Sequence, residues 1–152
     1  VVEILPATHQ DAQALYASLR PSDLRECLAY GQADVLEGIV ESVAASQGFC
    51  FSAREEGELL AVFGVGELTE KTGSPWMLGT TLLDRRPRVL QSLAAPIVNL
   101  MLELYPHLLN FVHVKNTRSV RWLAHLGFTI HDPEPYGHAG ELFHRFEMHR
   151  HV

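Results

Sequence analysis

Two extended apolar runs, Pro75–Leu83 and Leu108–Val114, are joined by a stretch that reads as one long helix. This arrangement restricts the fold more than any other feature of the chain. Val89, Leu93, Ile97, Leu100, Met101 and Leu104 recur at helical spacing, and Leu90, Val98 and Leu102 widen the stripe. A helix between two strands cannot serve a tight hairpin, so the runs are expected to lie parallel in one sheet. A stripe this wide predicts an interior helix. Pro96 removes one backbone hydrogen bond, which predicts a kink or a helix start near Ala94, and Pro106 stops the helix.

The remaining segments supply strands and helices around this unit. Val1–Leu5 reads as a strand closed by Pro6, and Thr8 with Asp11 as a capping pair for a helix over His9–Ser18. Ser22–Ser46 holds two helices, or one broken at Gly31. Leu24, Leu28 and Cys27 read as inward positions of the first part; Val35, Leu36, Ile39, Val40 and Val43 form the apolar face of the second. Phe49–Arg54 and Leu59–Val65 flank the polar turn Glu55–Glu58 and read as a hairpin, with a bulge at Gly64 or Gly66. Lys71–Ser74 reads as a loop and Pro75 as the start of the next strand. Further on, Asn116 is a good N-cap, Val120, Leu123 and Leu126 are helically spaced, and Gly127 ends the helix. Phe128–Ile130 and Glu141–His149 are the last strands, either side of the Pro/Gly loop Asp132–Gly140.

The chain has 152 residues, 47% hydrophobic and 20% charged, which predicts one domain over 1–152 with a substantial core. A net charge of -6 argues against nucleic acid as a partner. Cys27 and Cys50 form no disulfide framework, and each reads as a small buried hydrophobe. No run reaches membrane-span length, and Val1–Gln10 lacks the features of a signal peptide, so a cytoplasmic location is expected. Nine histidines raise the question of a metal, but there is no HExxH pair and no Cys/His pairing at zinc spacing. His149 and His151 lie near the C-terminus. No metal site is expected, and no G-x-S-x-G elbow is present.

The segment Asn116–Phe128, NTRSVRWLAHLGF, resembles the last helix of the GNAT superfamily of N-acetyltransferases. The family pattern is Asn, a small residue three later, a Tyr seven later and a Leu-Gly-Phe exit. Asn116, Ser119, Leu123 and Leu126-Gly127-Phe128 keep the spacing and lack the Tyr. The order of elements (strand, helices, three strands, helix, strand, helix, two strands) is also that of the GNAT fold. The resemblance implies an α+β (mixed α/β) protein: a strongly twisted mixed sheet with two splayed parallel central strands, flanked by helices. It implies acetyl-CoA in the cleft between those strands and direct attack of an amine substrate on the thioester. Implied cofactor contacts are Leu82 and Leu83 at the strand end, the loop that follows, and Asn116 and Ser119 beside the pantetheine arm.

Two departures qualify that expectation. The family's glycine-containing pyrophosphate loop is replaced by Asp84-Arg85-Arg86-Pro87-Arg88-Val89, with no glycine. Arg85, Arg86 and Arg88 either bring guanidinium forks to phosphate or are solvated charges beside a helix start. Leu123 stands where many members carry the Tyr that protonates the leaving thiolate. A general base is also needed, and Glu67, His113 and His144 are the candidates. Each has a plainer reading: Glu67 as a strand-end charge, the histidines as hydrogen-bonded interior or rim residues. A narrower resemblance rests on Pro75–Thr80, Tyr105-Pro106 and Phe143–Glu147 with the Asn116–Phe128 segment. These are similar to phage-encoded GNAT-like proteins, some related to internal virion proteins of short-tailed phages. That implies an alternative: a catalytically inactive, virion-associated component that binds a protein partner.

Overall fold

The computed structural model describes residues 1–150; the last two positions of the expected domain, including His151, lie outside the described residues. In chain order the elements are β1 (Val2–Pro6), α1 (His9–Ala17), α2 (Pro21–Tyr30), α3 (Val35–Ala45), β2 (Cys50–Glu55), β3 (Glu58–Glu67) and β4 (Thr72–Gly79). There follow α4 (Thr81–Asp84), α5 (Pro87–Leu104), β5 (His107–His113), α6 (Thr117–Leu126), β6 (Thr129–Ile130), β7 (Glu134–Pro135) and β8 (Leu142–His149). The strands form one mixed sheet in the order β1-β2-β3-β4-β5-β8-β6, with β7 also on β8. Among the described residues only β4 and β5 pair in parallel, as the crossover helix requires. The expected mixed sheet with two splayed parallel central strands, flanked by helices, is therefore what the chain forms.

Both sheet faces are covered, and each cover follows from side-chain alternation. Leu60, Leu108, Val112 and Phe146 pack with Met101 of α5 and Leu123 of α6. Leu59 and Val62 pack with Ala12 and Leu15 of α1 and with Val35 and Ile39 of α3. The Thr8/Asp11 capping box starts α1, as expected. Gly31 separates α2 from α3 at φ 96.

Several expectations are corrected. β4 begins at Thr72, inside the segment read as a loop, and ends at Gly79, so Thr80–Leu83 is not strand: Thr81–Asp84 forms a single helical turn. Pro75 lies in the middle of β4. The hairpin bulge is at Ala53/Arg54, not at Gly64 or Gly66. Instead, Gly64 makes room: a Cβ there would lie 2.9 Å from Phe49 O. α5 starts at Pro87, well before Ala94, because proline suits the first turn of a helix. α5 is also no interior helix. Leu100 and Leu104 are half-exposed, on the side of α5 away from the sheet. Pro96 is on that exposed side, where a lost backbone bond is least costly.

Gly127 closes α6 at φ 107, and its N–H bonds to Ala124 O at 3.1 Å. An added Cβ would meet only Met148 Cε, at 3.4 Å, so the penalty lies in the left-handed backbone. Gly127→Ala is expected to destabilise the fold by about 1 kcal/mol or more, read as a lowered urea midpoint. An unchanged midpoint would contradict this.

Candidate functional site

The opening between β4 and β5 is the feature from which the site is built. The two strands pair only at Thr72↔His107 and Gly73↔Leu108 and then diverge. Thr80 N–H bonds to Leu60 O at 2.9 Å, so even-numbered residues of β4 bond toward β3 and odd-numbered ones face β5. Pro75 is odd-numbered, and it has no N–H to offer β5. The ladder stops there. Asn110 of β5 closes the apex with its side chain: Nδ2 donates to Pro75 O at 2.6 Å, and Oδ1 accepts from Phe111 N–H at 2.8 Å.

Beyond the apex, α2 satisfies the strand edges with carboxylates. Gly79 N–H donates to Asp23 Oδ2 at 2.7 Å, and Gly79 O accepts from Arg20 N–H at 3.0 Å. On the other edge His113 N–H donates to Glu26 Oε1 at 2.5 Å. Met77 lies between Pro75 and Gly79, and by the same alternation its N–H also points into the opening. Asp23 is buried and bonded to Arg20 Nε at 2.6 Å; Arg20 reaches Asp84 at 3.4 Å. Burial pushes the Glu26 carboxyl above the usual carboxylate range, against the pull of the His113 N–H, and Asp23 pushes it the same way.

Two neighbouring cavities meet at this opening. The inner one, about 230 Å³, is mostly apolar and runs between the sheet and α5/α6, touching Pro75, Met77, Asn110 and Glu26. The outer one, about 790 Å³, lies at the N-terminal ends of α5 and α6 and is lined in part by Arg25, Lys115 and Arg118. Glu26, Ser119, Trp122 and Leu83 line both cavities. Lys115 and Arg118 flank the start of α6, where Asn116 Oδ1 accepts from Ser119 N–H at 3.4 Å. A helix start favours an anion, and the exposed cations around it add to that field.

The candidates from the sequence are only partly brought together. Of the proposed bases, His113 lines the outer cavity, its Nε2 2.8 Å from Glu141 Oε1. Glu67 accepts from Tyr105 O–H at 3.2 Å, beside Gly73 at the closed end of the opening, and lines neither cavity. His144 Nδ1 lies 2.7 Å from His131 O, away from both. Leu83, Asn116 and Ser119 line a cavity, whereas Leu82 packs on the core. Arg85, Arg86 and Arg88 are exposed and line neither cavity, and Arg86 Nε pairs with Glu55 at 2.8 Å. Leu123 is buried in the core. Burial pushes both thiols, Cys27 and Cys50, up to about 11, so neither is a nucleophile at neutral pH.

The sequence reading missed Asp23, Glu26, Arg25, Asn110, Lys115 and Arg118. Of the expected inward positions of α2, Cys27 does pack against the core, but Leu24 and Leu28 are exposed at 38% and 54%, and Asp23 and Glu26 face inward. The recurrence of polar groups at Arg20, Asp23 and Glu26, on one side of α2, was the available signal.

Solved structures align over nearly the whole chain. Ard1 from Thermoplasma volcanium has a TM-score of 0.75 at 13% identity, covering 99% of each chain. An acetyltransferase of the GNAT family from Bacillus anthracis has a TM-score of 0.71 at 13% identity, covering 97% of this chain and 94% of that one. The structure of yncA from Salmonella typhimurium, which holds its cofactor acetyl-CoA, has a TM-score of 0.65 at 15% identity, covering 97% and 93%. The fold is the GNAT fold. No protein-family model and no curated protein matches the sequence. In this GNAT fold the splayed pair is β4 and β5, and α5 is preceded by the single turn α4 and a loop without glycine. Among the described residues no helix is long and apolar enough to cross a membrane.

Proposed function

We propose that the chain is an acetyl-CoA-dependent N-acyltransferase whose cofactor lies in the two cavities between β4, β5, α5 and α6. The single observation that carries this reading is the make-up of the cleft: Arg25, Lys115 and Arg118 beside Asp84 and Glu141 at its mouth, an apolar interior that reaches Met77, and Glu26 where the two cavities meet. Acetyl-CoA, when bound, supplies an activated acetyl group to an attacking amine. Arg25, Lys115 and Arg118, with the start of α6, attract its phosphates and stand in for the missing glycine loop. Met77 N–H polarises the carbonyl oxygen. Glu26 accepts the proton that the amine loses, a task suited to a carboxylate whose affinity for protons is raised. The leaving thiolate takes its proton from water, since position 123 offers no acid.

A second reading, a catalytically inactive protein-binding component, is favoured by one specific observation. Asp23, Glu26 and Asn110 already occupy the strand edges to which an extended ligand would bond. The resemblance to phage-encoded proteins would place such a component in a virion.

Titration calorimetry with acetyl-CoA separates the two. The enzyme reading expects binding that weakens as salt rises. Arg25, Lys115 and Arg118 replaced together by Ala should weaken it about 10- to 100-fold. The Arg85/Arg86/Arg88 triple replacement should leave it unchanged; the opposite pattern would return the phosphate role to the β4–α5 loop. No binding by the wild type would favour the second reading.

A further inference from the structure

Outside the cleft, β5, β8 and the residue that follows β6 bring three imidazoles to one carboxylate. Glu147 of β8 lies on the sheet face opposite α5 and α6, since its neighbours Phe146 and Met148 point to that core. His107 Nε2 lies 2.8 Å and His149 Nε2 3.3 Å from Glu147 Oε1, while His131 Nε2 lies 2.5 Å from Oε2. The His107 and His149 rings are stacked, with centroids 4.1 Å apart and planes 3° apart, so both aim their Nε2 atoms at the same oxygen.

We propose that His107 Nε2, His149 Nε2 and Glu147 Oε1 bind a divalent transition-metal ion of the zinc class, with water in the fourth position. One ligand atom from each of these three residues lies within 4.8 Å of the other two. Bonds of about 2.0–2.1 Å in a tetrahedron put ligand atoms about 3.3 Å apart, so an ion needs only small side-chain adjustments. Two imidazoles and one carboxylate select zinc, cobalt or nickel over calcium or magnesium, which prefer all-oxygen shells.

Supporting contacts distinguish this cluster from a chance meeting of side chains. Thr72 Oγ1 lies 3.2 Å from His107 Nδ1 and can accept its proton, which leaves the Nε2 lone pair free for a metal. His131 holds the second oxygen of Glu147, so the carboxylate ligates through Oε1 alone. Arg145 Nε, 3.7 Å from Oε2, opposes a cation, and it is on the side away from Oε1. The ligands come from β5 and β8, so an ion would tie the C-terminal strand to the centre of the sheet. Linear motifs could not announce such a site.

The test is calorimetric titration of the tag-free full chain with zinc chloride, with cobalt(II) absorption as a second readout. The proposal expects one zinc per chain and the intense visible band of four-coordinate cobalt. His107→Gln, Glu147→Gln and His149→Ala should each weaken zinc at least tenfold and remove the band. His131→Ala should weaken zinc about 10- to 100-fold as a supporting group, with the band retained at saturation. His9→Ala and His125→Ala should change neither. Because His107 sits on β5, its variant separates this site from a chelate made by the C-terminal histidines alone. The exposed His149 keeps the test decisive if His107→Gln folds poorly. Absence of zinc binding, or binding unchanged in His107→Gln and His149→Ala, would overturn the proposal.

Discussion

Glu26→Gln is expected to lower kcat by about 10²- to 10⁴-fold without lowering the stability of the fold. The two halves of this result have one cause. Burial disfavours the ionised Glu26 carboxylate, so the folded chain holds that proton to higher pH than the unfolded chain does. Above the ordinary carboxylate pKa the unfolded chain has lost the proton and the folded chain has not, so stability falls as pH rises toward the folded value. A glutamine escapes that cost, keeps the shape, and its carbonyl oxygen can still accept from His113 N–H. Its unfolding midpoint at neutral pH should therefore equal or exceed that of the wild type. As a base the same group must be ionised, so kcat/KM should rise with pH through a midpoint above the usual carboxylate range. That limb should vanish in Glu26→Gln. Full turnover by the variant would remove Glu26 from the reaction.

The fold was largely legible because its signals are periodic. The 3.6-residue stripe of α5, the alternation in β8 and the capping of α1 and α6 each survive in the structure. The parallel pair followed from α5 alone. A proline in a central strand loses a ladder bond, which favours a strand start at Pro75; here that lost bond coincides with the end of the β4–β5 ladder. The site was much less legible. Apolar positions of α2 are expected to face inward, but the surface beneath α2 is a pair of diverging strand edges that present N–H groups. Such a surface calls for acceptors, and Asp23 and Glu26 supply them. Nothing local to α2 encodes that demand, since it exists only once β4 and β5 separate. The three histidines around Glu147 were hidden for a similar reason: sheet order, not spacing along the chain, brings them together.

Asp23→Ala is expected to destabilise the fold by about 3–5 kcal/mol, read as a lowered urea midpoint with an unchanged slope. The cost falls mainly on Arg20. That guanidinium is only 12% exposed, and its close partner is Asp23 Oδ2 at 2.6 Å; Asp84, at 3.4 Å and partly exposed, is the remaining one. Truncation also removes the acceptor of Gly79 N–H, a buried donor at the end of β4. Asp23→Asn restores an acceptor of the same shape for Gly79 N–H, so it should lose clearly less than Asp23→Ala. The pH dependence adds a second check. Burial pushes the Asp23 carboxyl up against the opposing pull of Arg20 and of Gly79 N–H. The folded chain therefore keeps this proton after the unfolded chain has lost it, and wild-type stability should fall as pH rises between the two values. In Asp23→Asn that fall should be smaller, with the share due to Glu26 remaining. An Asp23→Ala midpoint equal to wild type would mean that Arg20 is solvated and that Asp23 does not hold α2 to the edge of β4.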